Sequence, residues 1–243
     1  MVITSLDNQK VKDVVKLQSK KYRDLTNSFV VETEHLVEEA KKAHIVKELF
    51  LVEDEFVDRD DVYFVTPEVM KKMSTMESVS NVLAVCEKNN YKEIIGSKIL
   101  LLDGIQDPGN LGTIIRSSVA FGVDTIVLSS DTVDLYNPKV LRGTQGMYNF
   151  INIFSMDSKS AIEDIKAKGI KVYGTNVVNG VDVKSLSDED KRSFCLIVGN
   201  EGNGVREEIQ ELCDCNLYIK TNENVESLNV GVACSILLYE LGD

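Results

Sequence analysis

The chain has 243 residues, of which 43% are hydrophobic and 27% charged. That composition excludes a disordered chain and supplies a core for one large domain or two modest ones. No run of about 18 apolar residues occurs, so no membrane span is expected, and the formal net charge of −12, taken alone, counts against RNA as a partner, because neutralising phosphates takes lysine and arginine.

In chain order, the first segment departs from that average. Met1 to Arg23 carries Lys10, Lys12, Lys16, Lys20, Lys21 and Arg23 against only Asp7 and Asp13. A basic segment on an acidic body fits either nucleic-acid contact or a solvated helix face. Its start, MVITSLDNQKVKDVV, has neither the apolar stretch nor the cleavage site of a secretory signal. Val11, Val14, Val15 and Leu17 form an approximate helical stripe over 9–17. Ser28–Glu32 reads as a strand, and Thr33 as the cap of a helix over 34–43. Strands are expected over 48–52, 62–65 and 82–86, with a helix over 68–73 that Thr66 and Pro67 introduce.

A polar stretch with Gly96, residues 89–98, marks the expected boundary between two domains, 1–92 and 93–243. Beyond it strands and helices alternate. Strands are expected at 99–102, 125–128, 150–153, 171–173, 194–198 and 217–220, and helices at 111–121, 138–142, 159–168, 205–212 and 228–241. The repeated βα pattern implies an α/β fold with a mainly parallel sheet covered on both faces. In such sheets ligands bind at loops leaving the carboxyl ends of strands.

The five cysteines, Cys86, Cys195, Cys213, Cys215 and Cys234, are odd in number and irregular in spacing. The two histidines, His35 and His44, lie far from them in sequence. Buried reduced thiols in the cytoplasm are therefore expected, with no metal site.

Three loops carry the polar residues that chemistry needs. In the first, a buried strand runs through Gly104, Pro108, Gly109, Asn110 and Gly112 into a helix bearing Arg116. Helix N-terminal amides bind anions, and an arginine grips phosphate with two hydrogen bonds. In the second, Leu196–Val205, an apolar strand ends in a turn with Gly199, Glu201, Gly202 and Gly204. This is only a loose version of a dinucleotide-binding pattern. In the third, Tyr218–Cys234, a polar loop enters an apolar helix, with Ser227 its expected cap and Asn229 close behind. A plain structural role explains each loop taken alone.

Taken together, and in this order, the loops resemble the three motifs of the SpoU (TrmH) family of RNA 2′-O-methyltransferases, of the SPOUT class. AspProGlyAsnLeuGlyThrIleIleArg, IleValGlyAsnGluGlyAsnGly and ValGluSerLeuAsnValGlyValAla carry the resemblance, which covers the chain from Lys98 on. Lys21, Arg23 and Phe29–Glu32 match a weaker pattern of the family's substrate-binding domain. The resemblance implies a C-terminal α/β (trefoil) knot methyltransferase domain behind a smaller N-terminal L30e-like α/β domain. It implies S-adenosylmethionine as methyl donor without a metal, structured RNA as substrate (ribosomal RNA before transfer RNA), and a homodimer with no membrane association. Asn110, Arg116, Glu201, Ser227 and Asn229 would then serve catalysis. Val198, Gly199, Gly204, Ile219 and Leu228 would hold the donor, and Lys20, Lys21, Arg23 and Glu32 would meet the RNA. Two positions depart from the family's common residues: Lys220 stands where a proline is usual, and Thr33 where a glycine is.

Two other classes compete. A non-catalytic RNA- or ribosome-binding paralogue would keep the fold but lose the polar residues of the loops, which are present here. A nucleotide-dependent oxidoreductase would carry a complete G-x-G-x-x-G after an early strand, which is absent.

Overall fold

The computed structural model describes residues 2–52, 61–177 and 180–242. They divide into two compact units, 1–89 with 134–149, and 90–133 with 150–243.

The first unit contains β1 (Val2–Ile3), α1 (Gln9–Lys16), α2 (Lys20–Thr26), β2 (Ser28–Glu32), α3 (Glu34–Lys42), β3 (Val46–Leu51), β4 (Val62–Val65), α4 (Pro67–Met73) and β5 (Val82–Glu87). Its sheet has the order β1-β4-β3-β5-β2, with β5 antiparallel to both neighbours. Val11 and Val14 of α1, Val69 and Met70 of α4 and Phe50 of β3 bury their side chains in one cluster. The 134–149 segment joins this unit with Tyr136 and Tyr148, whose rings lie 4.6 and 5.8 Å from that of Phe29. Arg23 is buried there. Its Nη2 donates to Asp134 Oδ2 at 2.6 Å, and its Nη1 donates to the carbonyls of Leu17 and Gln18. Glu32 is buried too, accepting hydrogen bonds from Ser74 Oγ and from the backbone N–H and hydroxyl of Thr75.

The second unit is built on seven parallel strands: β6 (Lys98–Asp103), β7 (Thr125–Leu128), β8 (Asn152–Ser155), β9 (Lys171–Thr175), β10 (Val181–Asp182), β11 (Phe194–Gly199) and β12 (Cys215–Tyr218). Their order is β10-β12-β9-β11-β6-β7-β8. Helices α5 (Pro108–Ala120), α7 (Ser158–Ala167), α8 (Asp188–Arg192), α9 (Glu207–Gln210) and α10 (Val230–Leu241) belong with it, whereas α6 (Pro138–Thr144) belongs to the first unit. The central strands β6 and β11 bury nearly every residue, which is why both read as unbroken apolar runs. The chain builds β9 first and then inserts β11 between β9 and β6. The carboxyl ends of β6, β9, β11 and β12 therefore open on one edge of the sheet.

Several expected boundaries shift. Helix α5 begins at Pro108, not at 111, because Asp107 caps it by accepting from Asn110 N–H at 2.8 Å and proline suits the first turn. Asn229, not Ser227, caps α10, accepting from the N–H groups of Gly231 and Val232 at 3.0 and 3.2 Å. Strand β8 starts at Asn152, and Phe150 stays 60% exposed. Helix α9 spans only four residues. Among the described residues, no helix is long and apolar enough to cross a membrane.

Candidate active site

The end of β11 explains the second loop. An added Cβ on Gly199 would lie 2.1 Å from the backbone of Gly204 and Val205, so the strand end and the returning loop meet too closely for any side chain. Gly204 itself adopts φ +71°, a conformation that favours glycine. Asn200 and Gly204 exchange both backbone hydrogen bonds at 2.9 Å, and Asn200 Oδ1 accepts from the N–H groups of Gly202 and Asn203. The loop is thus a small closed hairpin projecting from the sheet.

Glu201 sits at its tip and reaches the first loop. Its Oε1 accepts from the backbone N–H of Asp107 and from Asn110 Nδ2, both at 3.0 Å, and its Oε2 accepts from Gln106 N–H at 3.2 Å. Partial burial pushes the Glu201 carboxyl up, but the hydrogen bonds from Asn110 and the backbone together outweigh it and hold the carboxyl below its ordinary range. Such a group is ionised at neutral pH and is a weak base. Asn200 Nδ2 adds a bond to the carbonyl of Gly104 at 2.9 Å.

The third loop joins through its own amide. Asn229 Nδ2 donates to Asn110 Oδ1 at 2.9 Å, while Asn229 Oδ1 is engaged in capping α10. One chain, Glu201–Asn110–Asn229, thereby fixes all three loops. The amide orientations follow from it: Asn110 offers its nitrogen to the carboxylate and its oxygen to Asn229.

Beside this chain lies a pocket of about 370 Å3, lined by residues at the ends of β9, β11 and β12, by the polar loop before α10, and by α10 itself. Val198, Gly199, Gly204, Ile219 and Leu228 all line it, and so do Glu201 and Ser227. Asn110, Asn229 and Arg116 do not. Arg116 is exposed and makes no hydrogen bond or ion pair among the described residues. With α5 starting at Pro108, Arg116 is eight residues, about 12 Å of helical rise, from the helix start. Arg116 therefore lies in the third turn of α5 and not in the second, as a helix start at 111 implies, which moves it away from the N-terminal amides.

The residues expected to meet RNA are scattered. Arg23 and Glu32 are buried and hydrogen-bonded inside the first unit, so neither side chain faces solvent. Lys10, Lys12, Lys16 and Lys20 pair with Glu48, Asp7, Asp13 and Asp24. Lys21 is exposed, with no such partner among the described residues. The basic segment is largely neutralised, half of it by residues outside its own span. The five cysteines are free; Cys86, Cys195 and Cys234 are buried.

Sequence reasoning passed over Gln106, Asp107, Asn200, Asp103 and Arg206. Asp107 had a legible signal, since aspartate before proline marks a helix start. The others make contacts between loops about 100 residues apart, which no local pattern announces.

Comparison with known proteins places these features. Residues 97–239 match the SpoU rRNA Methylase family, and residues 8–84 match the MRM3-like substrate binding domain. The chain is 42% identical, over 98% of each chain, to the 23S rRNA (guanosine(2553)-2′-O)-methyltransferase RlmP of Bacillus subtilis. It superposes on an AdoMet-bound rRNA methyltransferase from Sinorhizobium meliloti with a TM-score of 0.88 and 29% identity, covering 99% of this chain and 97% of that one. The SpoU methyltransferase AviRb of Streptomyces viridochromogenes, at 22% identity, shares the fold with a TM-score of 0.84 over 96% and 97% of the two chains.

Proposed function

The chain belongs to the SpoU rRNA methylase family, and we propose that it methylates a ribose 2′-hydroxyl of ribosomal RNA with S-adenosylmethionine, a guanosine of 23S rRNA being the first candidate. The observation that carries this reading is the Glu201–Asn110–Asn229 chain beside a pocket lined by every residue expected to hold the donor. The pocket suits the donor in kind. Backbone at strand ends can bond an adenosine, and the Glu201 and Glu226 carboxylates on its wall complement a cation.

The donor supplies a methyl group already activated as a sulfonium. What remains for the protein is alignment and removal of one proton. Asn110 and Asn229 hold the loops that flank the pocket and orient the attacking ribose. Glu201 anchors those loops and is not the proton acceptor, since its oxygens are engaged and its basicity is low. Arg116, exposed and without an ion-pair partner among the described residues, binds the phosphate next to the target ribose and favours the ionised hydroxyl. Ser227, at the pocket wall, positions the reacting groups.

At the level of the whole chain we assign residues 93–243 to methyl transfer and 1–92 to substrate binding, an L30e-like domain, with the 134–149 segment packed in the substrate-binding unit. Insertion of β11 between strands built earlier is consistent with a trefoil knot. A homodimer is supported by Val232 and Tyr239, apolar side chains of α10 that are themselves 47% and 67% exposed. In the first unit, Lys20 and Lys21 are exposed and in reach of RNA; Arg23 and Glu32 act as its scaffold.

Transfer of labelled methyl groups to total RNA, followed by mapping of 2′-O-methyl sites, tests the reading. Wild-type protein labels 23S rRNA at a guanosine. Arg116→Ala loses methyl transfer by about 100-fold or more and keeps its donor affinity by calorimetry. Equal loss of both sinks the role given to Arg116, and absence of any RNA product with intact donor binding sinks RNA as substrate.

A further inference from the structure

Asp103 ends the central strand β6, and its side chain is fully buried. A carboxylate in that position needs several donors. The backbone N–H of Arg206 donates to Oδ2 at 3.1 Å, Arg206 Nε donates to Oδ1 at 3.0 Å, and Arg206 Nη2 donates to Oδ1 as well. Ser158 Oγ, at the start of α7, donates at 3.4 Å and accepts from Arg206 Nη2 at 3.3 Å. A helix start and the loop exit converge on one carboxylate at the end of β6.

The position of this cluster gives it a function. Asp103 lies opposite Gly199 in the register of β6 and β11. Arg206 directly follows Val205, the last residue of the hairpin loop on the pocket wall. Gly199 is fixed at the loop's near end by the sheet, and Asp103 holds the backbone at its far end. Neither Asp103 nor Arg206 lines the pocket itself. An arginine just after a glycine-rich loop would ordinarily suggest a phosphate contact. Here Nε and Nη2 are committed to Asp103 and Ser158, and the bonds that the guanidinium donates to Asp103 hold it firmly charged.

We propose that Asp103 and Arg206 are positioning residues for donor binding, an ionic clasp of a half-exposed guanidinium on a buried carboxylate that fixes the exit of the 200–205 loop and so the shape of the pocket. The proposal rests on reading that pocket as the donor site. Its consequence is a split between donor affinity and everything else.

The test uses full-length wild type, Arg206→Ala and Arg206→Lys. Affinity for S-adenosylmethionine is measured by calorimetry, KM for each substrate and kcat with 23S rRNA transcript, and thermal unfolding without donor. Arg206→Ala weakens donor binding about tenfold, the equivalent of roughly 1.4 kcal/mol and of one lost charge-assisted hydrogen bond. It leaves KM for RNA unchanged and kcat at saturating donor within about twofold. Arg206→Lys recovers part of the loss, because the ammonium keeps the ion pair without the fork; should the alanine variant not fold, the lysine variant reads the same split. Unchanged donor affinity with a lowered melting temperature overturns the proposal in favour of a purely structural clasp. Raised KM for RNA with unchanged donor affinity overturns it in favour of a phosphate contact. Wild-type protein that fails to bind the donor overturns the reading of the pocket and the clasp together.

Discussion

Glu201 accepts three hydrogen bonds on two oxygens, and its titration has a definite sign. Its carboxyl titrates below the ordinary 4.5. A carboxylate whose native pKa is depressed stabilises the native arrangement fully above its unfolded value, and that contribution fades as pH falls through the lower native value. The link between the first two loops therefore persists across the neutral range and fails only in acid below 4.5. Donor affinity of the wild type, titrated from about pH 8 to 5, is expected to be flat; a step near pH 6.5 would implicate a histidine instead. Thr33 makes the second residue-level case. It holds φ +86° and ψ 143°, close to a region that only glycine enters without strain of about 1–3 kcal/mol. Its hydroxyl offsets part of this by accepting from Leu36 N–H at 3.4 Å. Thr33→Gly relieves the strain, costs a few tenths of a kcal/mol at the cap and about 0.5–1 kcal/mol in chain entropy. The net expectation is a small stabilisation, up to about 1 kcal/mol, read as a higher denaturation midpoint. A lower midpoint would mean that the cap outweighs the strain.

Among the elements, α10 has the most divided duty, because Asn229 caps it with one atom and holds Asn110 with another. Asn229→Ala removes both and costs about 1 kcal/mol of stability along with activity. Asn229→Asp keeps a good cap and places a second oxygen against Asn110 Oδ1. It is expected to retain the melting temperature and still lose methyl transfer; retained activity would show that the Asn229–Asn110 bond is dispensable. This pair also marks how far the site was legible from sequence. Asn229 stood out because a polar residue so near an apolar helix needs a reason, but Ser227 looked the better cap, and only the backbone path decides between them. The start of α5 was misread for a related cause: glycines at 109 and 112 suggest loop, whereas Asp107 and Pro108 already begin the helix. Helix α2 went unread, since its seven residues leave Tyr22 and Leu25 exposed and present no apolar stripe. The strands β6 and β11 were plain as apolar runs, yet their adjacency was not, because every buried parallel strand reads alike.

For the whole molecule, the question is how a chain of net charge −12 binds a polyanion. The basic N-terminal segment was visible in sequence, but its neutralisation was not: Asp24 and Glu48, which pair with Lys20 and Lys10, lie beyond it. Exposed ion pairs of this kind contribute at most about 1 kcal/mol, so phosphates can compete for the lysines at modest salt. Lys21, with no acidic partner among the described residues, has no such competitor there. Binding of a 23S rRNA transcript, measured by fluorescence anisotropy over a range of salt, is expected to fall linearly with the logarithm of salt concentration. Lys21→Ala should make that slope shallower by about one. Lys20→Ala should change it less, because Lys20 is already partly neutralised by Asp24 and so has less charge to offer a phosphate. Asp24 itself bonds Lys88 at 2.6 Å, so Asp24→Asn frees two lysines at once and should tighten RNA binding most at low salt. Slopes unaffected by all three changes would move the RNA-binding surface away from this segment, to the cationic side chains of other elements.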